Sequence, residues 1–118
     1  MEQSRHVAPH DAPAEMCVLG AMILENNAIP KIVELITAKD FFIARHARIF
    51  ETIIAVHGAT GRCDAVTLRG ALSERGILED VGGYDYLAEL LQVPNAAAWA
   101  EYAGAVLRCA RKRTALKL

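Results

Sequence analysis

Nucleophiles, metal ligands and phosphate-binding glycines each need a particular spacing, and this 118-residue chain offers fragments of several. Cys17, Cys63 and Cys109 are odd in number and far apart, so they form neither a disulfide framework nor a CxxC knuckle. Cys17 falls on an apolar stripe and reads as a small core residue, with no Lys or Arg beside it to activate the thiol. Cys63 and Cys109 read as more exposed, yet no Cys-His-Asn spacing makes either a nucleophile. His6 and His10 are four apart, which on a helix would put two metal ligands on one face. They lie in a proline-containing arm without a third ligand. His46 and His57 fall at opposite ends of one predicted helix, the first partly buried, the second compensating the helix dipole. Gly58-Ala-Thr-Gly-Arg62 has two glycines but no GK[ST], and Asp64 follows, so it reads as a turn and not as a phosphate cradle. Glu79 and Asp80 are adjacent, and their side chains diverge. No acid, base and nucleophile converge, so the expectation is no catalytic residue, no metal ligand and no cofactor site.

The elements that would carry such residues are helical. Cys17, Val18, Ala21, Met22 and Leu24 recur at helical spacing between Ala12 and Glu25, with Asp11 as cap and Pro13 in the first turn. That helix is apolar on most sides and is expected at the centre of the fold. Gly20 in its middle costs about 1 kcal/mol against Ala, which points to a close helix approach. Asn26-Asn27 breaks it and reads as a cap for a second helix over about Ala28–Ile36, where Ile29, Ile32, Val33 and Ile36 follow the i, i+3, i+4, i+7 pattern. Phe41-Phe42 reads as a core plug. A third helix is predicted over about Arg45–His57, stopped by Gly58 and Gly61. Asp64 caps a fourth through Val66, Leu68, Ala71 and Leu72, closed by Gly76. Gly82-Gly83 opens a fifth with Tyr86, Leu87, Leu90 and Leu91 buried, ended by Pro94. Asn95 caps a last helix whose Trp99, Ala103, Val106 and Ala110 share one stripe. Nowhere do residues alternate as in a strand. The fold class is all-α, a compact bundle of about six helices, with residues 1–10 as a flexible arm and 11–118 as the domain.

Size and composition agree with one domain. A chain of this length buries roughly two-thirds of its unfolded surface and needs no disulfide or metal to fold. Its 53% apolar content excludes wholesale disorder. The longest apolar run, Met16 to Leu24, is nine residues and includes a glycine, far short of the roughly 20 of a membrane span. The N-terminus, with Glu2, Arg5 and His6, has no apolar core of a secretory signal. A reduced, cytoplasmic domain with no membrane partner is the expectation.

The net charge of −1 conceals an asymmetry. Five of the 13 cations (Arg108, Arg111, Lys112, Arg113 and Lys117) lie in the last eleven residues, where there is no acid. The remaining eight stand against all 14 acids, so a −6 body ends in a +5 tip. Cations at a helix end favour the dipole, and they also offer a surface to a partner. The tip, with the exposed sides of Trp99 and Tyr102, forms the candidate partner interface. A second candidate is a recognition helix over Thr67–Gly76 with a wing after it. Its Arg69 and Arg75 are offset by Glu74, Glu79 and Asp80, which is poor electrostatics for DNA.

An ordered series of short motifs resembles the N-terminal domain of the bacterial replicative DNA helicases, the DnaB family. They are Ala14-Glu15 with Val18-Leu19-Gly20, Ile29-Pro30, Asp40-Phe41-Phe42 with His46 and Ile49-Phe50, and Asp64 with Val66-Thr67-Leu68 and Leu72. Gly76 with Leu78-Glu79, Gly82-Gly83 with Tyr86-Leu87 and Leu90, and Tyr102-Ala103 with Arg113 complete the series. It covers about Pro9 to Arg113. The resemblance implies a non-catalytic helical head followed by a helical hairpin, so that the last helix is expected to begin a truncated hairpin. It implies a collar of such heads on a hexameric ring, with primase and the helicase loader as protein partners and DNA reached only indirectly. ATP and Mg belong, in the family, to a motor domain whose P-loop is absent from these residues. The alternative reading is a free-standing small DNA-binding or regulatory protein sharing the fold. Small residues on the last helix and its later apolar positions (Val106, Ala110) are expected to face a missing partner helix, leaving the segment after about Ala105 mobile in a monomer.

Overall fold

Among the described residues six α-helices form: α1 (Ala12–Leu24), α2 (Ile29–Leu35), α3 (Ala44–Thr60), α4 (Ala65–Glu74), α5 (Gly83–Leu90) and α6 (Trp99–Leu116). Short 3-10 turns at Asn26–Ala28, Ala38–Asp40 and Ala96–Ala98 lead into α2, toward α3 and into α6. The computed structural model describes residues 7–117, and among the described residues there is no strand. No single helix there is long and apolar enough to cross a membrane. Residues 1–6 of the predicted arm and His6 of the histidine pair lie outside the described residues.

Helix α1 is the axis of the core, as its all-round apolarity predicts. Val18, Leu19, Ala21 and Met22 are fully buried, and the helix packs on α3, α5 and α6. The Asp11 carboxylate accepts the Ala14 N–H at 3.0 Å, with Pro13 in the first turn. Gly20 is where the chain crosses closest. A β-carbon there would collide with the Leu90 carbonyl oxygen at the end of α5. Phe41 is buried against Phe50, ring centroids 4.9 Å apart, and plugs the core as expected, whereas Phe42 points outward.

The punctuation residues act mostly where predicted. Asp64 and Thr67 form a reciprocal capping box at the start of α4, the carboxylate accepting the Thr67 N–H at 2.8 Å and the threonine hydroxyl accepting the Asp64 N–H at 2.9 Å. Gly76 takes the left-handed conformation after α4 (φ 73°), and the Ile77 N–H closes on the Leu72 carbonyl.

Several expectations need correction. Gly58 lies inside α3, which runs to Thr60 and closes at left-handed Gly61. Asn26 does not cap α2 with its side chain. Its amide donates to the carbonyls of Met22, Ile23 and Cys63 and accepts the Cys63 N–H, clipping the end of α1 to the loop before α4. That clip buries Cys63 to 1% exposure, and burial pushes its thiol up to about 11. Cys17, expected in the core, is half-buried and lines a shallow apolar pocket of about 240 Å³ with Met16, Leu90 and Val93. Val66 is 64% exposed, and Val33 also faces outward. The wing reading fails: Val81 is buried and Ile77 and Leu78 pack on the core, so this stretch is a turn seated on the bundle.

Candidate partner interface

Helix α6 is 18 residues long, and its apolar stripe sets everything else on it. Ala103, Val106 and Ala110 are buried, packed where α6 lies on α1 and α2. The stripe therefore faces helices already in the chain, and α6 continues unbroken to Leu116, past the point where a mobile segment was expected. With that stripe inward, the i, i+3, i+4 geometry turns Arg108, Arg111 and Lys112 outward together. All three are exposed, and none has an ion-pair partner among the described residues.

Arg113 is different. Its guanidinium donates to the Pro9 carbonyl at 2.8 Å and to the Asp40 carbonyl, and it lies 5.5 Å from the Phe42 ring centroid. It is half-buried and ties the stretch before α1 and the turn before α3 to α6, so it works inside the fold rather than beside Arg111 and Lys112. His10 also stacks on Phe42, ring centroids 4.3 Å apart. Trp99 and Tyr102 are half-buried against the core at the opposite end of α6. At 1.5 Å per residue they stand about 14 Å (Trp99) and about 9 Å (Tyr102) from Arg108 along the axis. Six candidate residues thus divide into an outward cationic set, one internal strap and two core-packed aromatics.

The predicted recognition helix does not offer free cations on one face. The Arg69 guanidinium lies 5.5 Å from the Tyr84 ring centroid, and Arg75 donates to the Thr52 hydroxyl at 3.1 Å. Among the described residues no three His, Cys, Asp or Glu are placed to hold a metal ion.

Sequence reasoning missed one chemical cluster. Glu15 on α1, His46 on α3 and Tyr86 on α5 meet in the interior, 31 and 40 residues apart in sequence. His46, expected to be only partly buried, is fully so. Its Nδ1–H donates to Glu15 Oε1 at 2.8 Å, and its Nε2 pairs with the Tyr86 hydroxyl at 2.5 Å. The Glu15 carboxylate also accepts the N–H groups of Phe42 (2.8 Å) and Ile43 (3.3 Å). Ile43 is the N-cap position of α3 and has no side chain able to cap it. Glu15 therefore sits at the start of a helix other than its own. Burial pushes the Glu15 carboxyl up, but the hydrogen bonds from His46, Phe42 and Ile43, with the His46 charge, outweigh it and hold it below the ordinary carboxylate value. Burial pushes the Tyr86 phenol up, against the Arg45 guanidinium 4.0 Å over its ring. The triad ties α1, α3 and α5 together through the core. The only signal for it lay in the motif series, which contained all three residues without relating them.

Comparison with known proteins bears on this geometry. The family model described as DnaB-like helicase N-terminal domain matches residues 7–108. The replicative DNA helicase DnaB of Mycobacterium leprae is 38% identical over 99 residues, covering 83% of this chain and 16% of that protein. Its counterpart in Rhodothermus marinus is 37% identical over 101 residues, covering 86% and 11%. The crystal structure of the N-terminal domain of DnaB helicase from Mycobacterium tuberculosis superposes with a TM-score of 0.90 at 35% identity, over 94% of this chain and 81% of that one. The chain thus spans less than a fifth of the length of either helicase.

Proposed function

Because the chain belongs to the family of DnaB-like helicase N-terminal domains, we propose that it is a non-catalytic docking head. In this reading it joins copies of itself into the collar of a replicative helicase ring in the cytoplasm and receives primase and the helicase loader. Unwinding and ATP hydrolysis, with Mg, belong to a motor elsewhere in such a helicase, and DNA is met only through that motor. The observation that carries the reading is the outward set Arg108, Arg111 and Lys112 on a helix anchored along its inner stripe. Exposed cations add little to folding but orient an approaching acidic surface and raise its association rate. The rest of the chain, with six more acids than bases before Arg108, supplies such a surface on a second copy.

Reversing the three charges together (Arg108→Glu, Arg111→Glu, Lys112→Glu) tests this. Self-association by sedimentation and primase capture should both weaken, by about tenfold or more, with helix content unchanged. Equal binding by the reversed variant contradicts the proposed surface.

A further inference from the structure

At the end of the bundle opposite Trp99, three separate pieces of chain enclose a cup of about 340 Å³. It is lined by Ala8, Phe41, Phe42, Arg113, Leu116 and Lys117. Its floor is Phe41, already buried in the core, and its open wall is Leu116, 72% exposed at the last turn of α6. Such a volume accepts one large apolar side chain. The rim is cationic. Lys117 is exposed, and Arg113 uses two of its five N–H donors on the Pro9 and Asp40 carbonyls, leaving three. The Asp11, Asp40 and Glu15 carboxylates are engaged within the fold: Asp11 accepts the Ala14 N–H, Asp40 the Thr37 N–H at 2.8 Å and Glu15 the Phe42 N–H at 2.8 Å.

We propose that this cup binds an acidic peptide segment carrying one bulky apolar side chain, the side chain entering between Phe41, Phe42 and Leu116 and a neighbouring carboxylate meeting Arg113 and Lys117. Charge complementarity selects the acid, since a planar guanidinium with free donors suits a carboxylate. The aromatic geometry selects against a nucleic-acid base. Phe42 has His10 stacked on it at 4.3 Å and the Arg113 guanidinium 5.5 Å from its centroid, so its ring is already engaged by two side chains of the fold. The arrangement is an apolar anchor site with a charged rim. It stands whether or not copies of the chain assemble through Arg108, Arg111 and Lys112.

Fluorescence anisotropy of the full chain with a fluorescein-labelled peptide of four acidic residues followed by a C-terminal Phe tests the inference. Saturable binding is expected, weakened about tenfold by Leu116→Asp and by Lys117→Glu, both exposed and harmless to the fold, and equally weakened when the peptide's Phe becomes Ala. Amide shifts on titration should centre on Ala8, Phe42 and Leu116. Unchanged affinity in both variants, or equal binding of the Ala peptide, overturns the proposal. Tighter binding of labelled oligothymidine transfers the cup to nucleic acid. Peptide affinity that falls as protein concentration rises assigns it to a second copy, and affinity that rises on deleting residues 1–6 assigns it to the chain's own N-terminus; each overturns it too.

Discussion

At the residue scale the most consequential group is the Glu15 carboxylate, which has 1% exposure and three donors. A buried carboxylate is tolerated only when its lone pairs are filled, and here the donors come from the start of α3 and from His46. Glu15→Gln keeps one acceptor oxygen and turns an NH₂ toward N–H groups, leaving buried donors unmatched. The expected loss at pH 7 is about 1–3 kcal/mol in urea unfolding. Its pH dependence has a definite sign. The folded carboxyl titrates below its ordinary value of 4.5, so its contribution is complete above that value and disappears as pH falls through the folded one. The gap between wild type and Glu15→Gln should therefore narrow on acidification below 4.5. A constant gap down to strongly acid pH would show that the carboxylate's charge is immaterial. None of this was legible from periodicity, because a pattern along one helix carries no information about partners 31 residues away.

At the scale of elements, glycines separate what local sequence reveals from what packing decides. Gly20 and Gly58 both lie within helices in the fold, and their surroundings differ completely. A β-carbon at Gly20 meets the Leu90 carbonyl, while at Gly58 nothing lies within 4 Å. Gly20→Ala should cost about 1–3 kcal/mol by overpacking against rigid backbone, and Gly58→Ala should gain about 0.5–1 kcal/mol of helix propensity. Thermal melts of the two variants should move in opposite directions. A rise for Gly20→Ala would mean that α1 and α5 separate without cost. The close approach at Gly20 was readable because the glycine stood in an otherwise apolar helix, and α4 was readable because Asp64 and Thr67 sit in its own first turn. Long-range closures were not: Asn26 looked like a helix cap, and only the fold brings Cys63 to it. The cationic set on α6 was visible as composition, yet Arg113 does not share the outward face of Arg108, Arg111 and Lys112. The inward stripe of α6 was legible in its spacing, but the carbonyls that hold Arg113 come from Pro9 and Asp40, far away in sequence.

For the whole molecule, the −6 and +5 regions of the sequence are distributed so that stability and association respond differently to salt. Among the described residues the Glu15–His46 hydrogen bond is buried at 2.8 Å, and the Arg48–Asp80 ion pair is exposed at 3.9 Å. The first is shielded from mobile ions, and an exposed pair of the second kind contributes about 0–1 kcal/mol. Folding free energy therefore rests on the apolar core along α1 and should change little between low and high salt. The outward cations of α6 lie in solvent, where the screening length shrinks from about 10 Å at 0.1 M to about 3 Å at 1 M. Any contact they make with an acidic surface should weaken steeply over that range. The expected result is a urea midpoint nearly constant with salt, and a self-association constant, from sedimentation at the same salts, that falls by about tenfold or more. Association that persists at 1 M while the midpoint also holds would place the contact on the exposed apolar residues Val66, Tyr84 or Phe42 instead of on α6. A midpoint that falls together with association would mean that the tip's charges belong to the fold itself, which the solvent-facing geometry of Arg108, Arg111 and Lys112 argues against.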